Sequence, residues 1–312
     1  MSAVPPPLIS VCVCTYHRHD LLEKLLASLA AQRTDGKFEV EVVVVDNDRA
    51  GGAQEVVEAA SRQFPQLRLK YAVEPTQGIS YARNRTVALA AGDYLAFIDD
   101  DEYAEPDWLA ALFETLQRYA ADAVFGPVLP KFPAGSPTWA IRSGLFDRLR
   151  FATGTQLTSG DSKTGNALLR AVWPRRRIPT PFDVHFAHSG GEDHDFFVWM
   201  EAAGGGLFWC DTAVAYEEVP LARLSLRSVL KRRFRASVTY WRGINRQRPI
   251  WRVWLATLPG AIGGTLFFLL GLFTLPLGLH RSIRLWVKGV SGYGRLASLS
   301  SIRLVGYGEK HG

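Results

Sequence analysis

The stretch GDYLAFIDDDEYAEPDWL, residues 92–109, places four consecutive acids, Asp99 to Glu102, directly after an apolar run. That run has the composition of a buried strand, and a helix is predicted to begin near Pro106, because proline suits the first turn. In open parallel sheets, ligands bind at the carboxyl ends of the strands. The stretch therefore predicts a strand that carries a cluster of negative charge to the binding edge of a sheet.

Strand-like and helical runs alternate along the chain before this stretch. Runs typical of strands cover 8–16, 38–48 and 67–75, and runs typical of helices cover 19–32, 52–64 and 79–92. This alternation predicts an α/β fold with a mostly parallel central sheet that is covered on both faces. Thr15 and Asp46 follow the first two strands, so we expect them to lie beside the acids at 99–102.

The three cysteines, Cys12, Cys14 and Cys210, form neither a CxxC pair nor an even disulfide framework. This usage is typical of a reduced, cytosolic setting. Cys12 and Cys14 alternate within an apolar strand-like run, so we interpret them as core thiols and not as metal ligands. The N-terminal segment has no pattern of a secretory signal.

Charge divides the chain into two parts. Residues 219–308 contain no Asp or Glu but fifteen Lys and Arg, while the first 218 residues are net acidic. Within the acid-free part, 253–279 is an uncharged run of 27 residues, long enough to cross a bilayer, although its Pro and Gly residues also permit a re-entrant hairpin. The prediction is a catalytic domain at 1–218, a basic amphipathic segment at 219–252 and a membrane-associated region with a basic tail at 253–312.

The acids after the fourth strand have the D-x-D spacing that suits a divalent metal. Carboxylate oxygens are the ligands that Mg²⁺ or Mn²⁺ prefers, and such an ion leaves room for phosphate oxygens. If the strand continued through them, Asp99 and Asp101 would share one face and Asp100 would point to the other. The simpler alternative is a solvated acidic turn that caps the helix near Pro106.

Four segments in this order resemble family 2 glycosyltransferases of the GT-A fold. They are VCVCTYHR at 11–18, EVVVVDND at 41–48, GISYARNRTVALAAGDYLAFIDDDEYAEPDWL at 78–109 and GGEDHDFF at 190–197. The resemblance covers roughly residues 8–215. Together with TGNALLR at 164–170 and KRRFR at 231–235, it is similar to the exopolysaccharide enzymes of the succinoglycan type.

The resemblance implies a role for each matching residue in binding the donor. Thr15 would border the nucleotide base, and Asp46 would accept a hydrogen bond from the uracil ring N–H. Arg83 would lie near the nucleotide or its diphosphate. Asp99 would face the ribose or the metal, and Asp101 would be the metal ligand proper. Two simpler alternatives stay open, since Asp46 could be a plain turn residue and Arg83 could pair only with surface acids.

The resemblance also implies the reaction. Glu192 and Asp193 match the family's ED pair, and Asp193 would be the general base in an inverting, metal-dependent transfer with Mg²⁺ or Mn²⁺. Acids at that position could instead simply favour a helix N-terminus. The processive motif Q-x-x-R-W is absent from the sequence, which favours transfer of a single sugar. The donor would be a UDP-sugar such as UDP-glucose.

The acceptor implied by the resemblance is a polyprenyl-diphosphate-linked oligosaccharide. The expected location is the inner (cytoplasmic) membrane, with the catalytic domain facing the cytoplasm and anionic lipids as partners. The basic run at 231–235 could bind either a diphosphate or such lipids. Nucleic acid is not an expected partner, because the basic tail adjoins an apolar segment.

The sequence disfavours three other functional classes. A nucleotidyltransferase would show a Gly-rich phosphate loop with a basic residue early in the chain, and a dehydrogenase would show G-x-G-x-x-G after the first strand. Neither pattern is present in the sequence. A non-catalytic membrane adaptor would have no need of the acids predicted for the site, which argues against that third alternative.

Overall fold

A computed structural model of the protein describes residues 5–245 and 250–299. The chain divides into two compact units. The first contains the residues up to Leu129 together with Arg148–Glu217, and the second contains Pro130–Asp147 together with the residues from Glu218 onward. Each unit is described by itself below.

The helices and strands follow one another in the order that the alternating sequence pattern predicts as far as the fourth strand, and a short strand that was not predicted, Glu102–Ala104, then precedes the predicted fourth helix. In chain order they are β1 Leu8–Thr15, α1 His19–Ala30, β2 Glu39–Asp46, α2 Gln54–Gln63, β3 Arg68–Val73, α3 Ile79–Leu89, β4 Tyr94–Ile98, β5 Glu102–Ala104, α4 Trp108–Arg118, β6 Ala123–Phe125, β7 Val128–Lys131, α5 Thr138–Ser143, β8 Asn166–Arg170, α6 Val172–Arg176, α7 Glu192–Ala202, β9 Leu207–Trp209, β10 Ala215–Glu218, α8 Leu226–Asn245, α9 Ile250–Phe273 and α10 Leu279–Ala297.

The central sheet of the first unit has the strand order β3-β2-β1-β4-β8-β6-β9 within the described residues. Its neighbours are parallel except that β8 runs antiparallel to β4 and β6. The predicted α/β fold with a mostly parallel sheet is therefore confirmed. A smaller sheet has the order β5-β10-β7.

The register of the central strands brings their carboxyl ends together. Thr15 at the end of β1 is the partner of Asp46 at the end of β2. On the other side of β1, Cys12 is the partner of Phe97 in β4, one residue before that strand ends. The three strands thus deliver Thr15, Asp46 and the acids after Ile98 to one edge, as the sequence predicts.

Each face of the sheet has its own apolar core, because strand side chains alternate between the two faces. Val42 and Val44 of β2 belong to the cluster that includes the buried leucines of α1. Val43 and Val45 belong to the opposite cluster, which includes Phe196 of α7 and other residues of that helix. The uninterrupted valine run of β2 follows from this burial on both faces.

The second unit contains α5 and the three C-terminal helices. The helix α9 continues through Pro259, and the chain turns at Leu275–Gly278 before α10. A Cβ atom added to Gly264 would lie 2.8 Å from the carbonyl oxygen of Gly289, so glycines let α9 and α10 approach closely. The turn thus lies within the last five residues of the uncharged run at 253–279 and not in its middle.

Within the described part of the chain, no helix has the length and hydropathy expected of a membrane span. The predicted basic tail lies partly in residues 300–312, which are outside the described residues. Membrane association therefore stays a prediction at this point.

The core position of the cysteines leads to a test. Cys12 is 2% exposed, and burial raises the pKa of its thiol to about 12. Burial also raises the pKa of the Cys14 thiol, and Cys210 is fully buried. We expect no rapid reaction of the folded protein with Ellman's reagent at pH 8, since the thiolate is the reactive form, and reaction of all three thiols in guanidinium. Rapid labelling of the native protein would contradict this packing.

Candidate active site

The acids of the opening stretch form a turn and not a continuation of the strand. The strand β4 ends at Ile98, so Asp99, Asp100 and Asp101 follow it. Nη1 of Arg18 lies 2.7 Å from Oδ1 of Asp100 and 2.9 Å from Oδ2 of Asp101. The expectation that Asp100 and Asp101 point to opposite faces is therefore wrong, because the alternation of a strand does not extend into a turn.

Asp100 is held inside the site by two donors. Its side chain is 7% exposed and accepts hydrogen bonds from Arg18 and, at 2.9 Å, from the hydroxyl of Thr15. Burial raises the pKa of Asp100 to about 6, although Arg18 opposes this shift. Thr15 thus joins the end of β1 to the acidic turn, and its contact with a nucleotide base stays a prediction.

Arg83 of α3 joins the acidic turn to the start of α7. Its Nη1 donates to Oε1 of Glu192, and its Nη2 donates to Oδ1 of Asp99 at 3.4 Å. The Arg83 side chain is 10% exposed and that of Glu192 is 4% exposed. The main partner of Arg83 is therefore a buried acid, which disfavours the alternative that Arg83 pairs only with surface acids.

The two acids of the ED pair have different environments. Glu192 is buried against Arg83, and its Oε2 has no hydrogen-bond partner among the described residues. Asp193 is half-buried, and its Oδ1 accepts from the backbone N–H of His194 at 2.8 Å. Asp193 is thus the more exposed acid of the pair, whereas Glu192 is held in contact with Arg83. Both catalytic assignments remain predictions.

Asp46 is occupied by donors from its own chain. Its carboxylate accepts from the backbone N–H of Asp48 at 2.9 Å, from the N–H of Ala53 at 2.8 Å and from the hydroxyl of Tyr71 at 3.1 Å. With the residue 1% exposed, these contacts shape the loop from β2 to α2. They favour the simpler interpretation as a turn residue, and the proposed contact with uracil stays a prediction.

Sequence reasoning missed Glu102 and Arg148. Glu102 is 2% exposed, and its Oε2 accepts from the backbone N–H of Asp99 at 3.3 Å. Nη1 of Arg148 lies 3.7 Å from Oε1 of Glu102, while its Nη2 donates to Glu217 at 2.6 Å. Burial raises the pKa of Glu102 well above its usual range. Position in the acidic run could have suggested Glu102, but no local pattern marks Arg148.

The segment TGN at 164–166 lies next to the run of four acids. A Cβ atom on Gly165 would lie 3.1 Å from Oε1 of Glu102 and 3.2 Å from Oδ2 of Asp99. The next residue, Asn166, donates to two backbone carbonyls and accepts from the indole N–H of Trp108 at 2.7 Å. Gly165 therefore leaves space for the carboxylates of Asp99 and Glu102, while the hydrogen bonds of Asn166 fix the start of β8.

Asp99 and Asp101 have the carboxylate oxygens that would hold a divalent metal ion, and metal binding itself stays a prediction. Oε1 of Glu102 accepts no hydrogen bond among the described residues, although Nη1 of Arg148 lies 3.7 Å from it, and this oxygen faces Gly165 as Oδ2 of Asp99 does. The described residues contain no group of three or more His, Cys, Asp or Glu arranged to hold a metal by themselves. Mg²⁺ is typically held by one or two carboxylates plus substrate phosphates, so Asp99 and Asp101 are sufficient candidates.

The fold is that of GT-A-like nucleotide-sugar transferases. The chain superimposes on the mannosyltransferase PcManGT from Pyrobaculum calidifontis, solved with GDP-Man and Mn²⁺, with a TM-score of 0.56 and 18% identity over 97% of this chain and 79% of that one. Superposition on S. aureus TarS 1-349 in complex with UDP has a TM-score of 0.53 and 19% identity, covering 93% and 90% of the two chains. At these identities the likeness concerns the fold alone.

The sequence comparison identifies the family. A model of the family "Glycosyl transferase family 2" matches residues 10–173. The chain is also 38% identical over 264 residues to the succinoglycan biosynthesis protein ExoM of Rhizobium meliloti (strain 1021), with 82% of each chain covered. The protein belongs to the family 2 glycosyltransferases, and it resembles the succinoglycan-type enzymes.

The different environments of Glu192 and Asp193 predict different effects on stability. Glu192→Gln removes the charge that a buried arginine pairs with, so we expect the free energy of unfolding to fall by roughly 3 kcal/mol. Asp193→Asn changes a half-buried acid without such a partner and should cost less than about 1 kcal/mol. Urea denaturation of both variants measures the difference. Equal losses in the two variants would contradict a positioning role for Glu192.

Proposed function

We propose that the protein transfers a single sugar from a UDP-sugar, with UDP-glucose as the first candidate, to a lipid-linked oligosaccharide in exopolysaccharide synthesis. The observation that carries this proposal is the arginine bridge from Asp99 to Glu192. The bridge connects the predicted donor-binding turn with the residue preceding the predicted base. Donor diphosphate and acceptor hydroxyl would therefore meet within one charged cluster.

The chemical step that this arrangement supports is a direct displacement. The acceptor hydroxyl oxygen forms a bond to the anomeric carbon, and the bond from that carbon to the diphosphate breaks. The hydroxyl proton passes to the carboxylate of Asp193 acting as general base, and the nucleoside diphosphate leaves with the bonding electron pair. Attack from the opposite side inverts the anomeric centre, so an α-linked donor gives a β-glycoside.

The residues beside the leaving diphosphate supply its stabilisation. A divalent cation held by Asp99 and Asp101, when bound, would neutralise charge on the diphosphate. Arg83 and Arg18 already lie against those acids, so they hold the carboxylates in place and limit repulsion within the cluster. We expect Mn²⁺ or Mg²⁺ to be needed for tight donor binding.

The acceptor and the location are part of the same proposal. The relative over most of the chain is named for succinoglycan biosynthesis, and a shorter match, 35% identical over 134 residues and 41% of each chain, is a glucosyl-dolichyl phosphate glucuronosyltransferase of Haloferax volcanii. The latter acts on a lipid-linked sugar according to its name. That name supports a lipid-linked acceptor, and the inner, cytoplasmic face of the membrane is the location that we propose with it.

Calorimetric titration with UDP tests the donor site. We expect wild type to bind UDP with Mn²⁺ and to lose most of that binding in EDTA, because the cation is shared with the diphosphate. Asp101→Ala should abolish the metal-dependent part. Glu23→Ala, which removes an exposed acid of α1, is the control and should bind as wild type does. A folded wild type that binds no UDP in either condition would overturn the choice of donor.

Product analysis tests the base and the stereochemistry. With UDP-glucose and a lipid-linked acceptor, the anomeric proton of the product should show the large coupling of a β-glucoside by NMR. Asp193→Asn should retain UDP binding and lose transfer by about 10²-fold or more, as expected for loss of a general base. An α-linked product, or an Asp193→Asn variant with wild-type transfer, would contradict the mechanism.

A further inference from the structure

One side of α9 presents a continuous apolar surface. Six side chains on that side are between 51% and 87% exposed, and we refer to them as the apolar row: Leu255, Leu258, Ile262, Leu266, Leu269 and Phe273. Successive members are three or four residues apart, which places them on one helix face. At 1.5 Å per residue the row is about 27 Å long. Surfaces of this kind mark interaction sites.

The opposite side of α9 is already occupied within its own unit. The ring of Phe268 stacks on that of Trp286 with centroids 5.8 Å apart, and the indole N–H of Trp286 donates to the carbonyl of Phe268 at 3.1 Å. Gly264 and Gly289 meet in the same contact. Because α10 covers this side, the apolar row is the side of α9 that remains for a partner.

Basic side chains are exposed on the two helices that belong to the same unit as the apolar row. Nζ of Lys288 in α10 lies 5.5 Å from the ring centroid of Phe267 in α9. The helix α8 packs on α10, where the hydroxyl of Ser237 donates to the carbonyl of Ser291 at 2.7 Å. Among the side chains that the structure describes in the two helices, the exposed basic ones are Arg227, Lys231, Arg232, Arg233, Arg235, Arg281, Arg284 and Lys288.

The charge pattern selects the partner. Residues 219–308 contain no acid, so an anionic surface meets no repulsion there, and basic residues near anionic lipid bind favourably. A second copy of the chain would bring two basic surfaces together. An apolar helix face flanked by arginine and lysine is the pattern of a helix that lies in the plane of a membrane surface.

We propose that α9 lies in the plane of an anionic membrane leaflet, with the apolar row among the acyl chains and the basic residues of α8 and α10 at the lipid phosphates. This surface would be the part of the protein that contacts the membrane, and the reason for such contact rests on the proposed lipid-linked acceptor. Binding itself requires neither donor nor acceptor, so it is measured separately from transfer.

Vesicle flotation with the full chain tests the proposal. Wild type should float with vesicles of phosphatidylcholine plus phosphatidylglycerol and only weakly with phosphatidylcholine alone. Ile262→Asp should weaken binding to the anionic vesicles by about tenfold or more, because aspartate is strongly disfavoured in hydrocarbon. Val172→Asp, which alters a half-exposed apolar residue of the other unit, is the matched control and should float as wild type does.

A second pair of measurements separates the outcomes. Arg281→Glu, which changes an exposed basic residue of α10 outside the run 231–235, should weaken flotation at low salt and leave UDP binding unchanged. A failed donor proposal would instead appear as lost UDP binding with normal flotation. Equal flotation of wild type and Ile262→Asp would overturn the inference. So would a wild-type dimer in light scattering that Ile262→Asp converts to a monomer, since a second copy would then cover the apolar row.

Discussion

Four consecutive acids at one edge of a sheet repel one another, and the site depends on how that charge is balanced. Three arginines from separate parts of the chain contact them. Arg18 pairs with Asp100 and Asp101, Arg83 with Asp99, and Arg148 lies 3.7 Å from Glu102. Each arginine thereby joins its own segment to the acidic run. The contacts that balance the negative charge are therefore the same contacts that hold these segments together.

The four acids also differ in how far their side chains are exposed. Asp99 and Asp101 keep side-chain exposures of 45% and 19%, whereas those of Asp100 and Glu102 are 7% and 1%. The exposed pair is suited to meet a ligand, and the buried pair holds the turn through side-chain and backbone hydrogen bonds. The same division recurs at the start of α7 between Asp193 and Glu192. In both places, neighbouring acids differ in burial, and the buried ones are held by contacts within the protein.

The second unit is held together by packing between helices and not by ion pairs around a cluster of acids. Its helices are held by glycine contacts and aromatic packing, and its outer surface combines an apolar row with basic residues. Nothing in this unit supplies the acids on which the proposed chemistry depends. The proposed site of transfer thus lies in the net acidic part of the chain, and the proposed lipid-binding surface lies in the basic part.

Local pattern determined much of this protein. The apolar strands, the D-x-D acids, the ED pair and the uncharged C-terminal run are readable because their signals lie within a few residues. Only the tertiary structure decided that the carboxylate of Asp46 accepts hydrogen bonds from nearby groups of the same chain, that Glu192 is buried and that Arg148 lies beside Glu102. The contact from Arg18 to Asp100 spans 82 residues and that from Arg83 to Glu192 spans 109. Burial and ion pairing at such separations depend on how the sheet and helices pack, and a linear pattern carries no record of that packing.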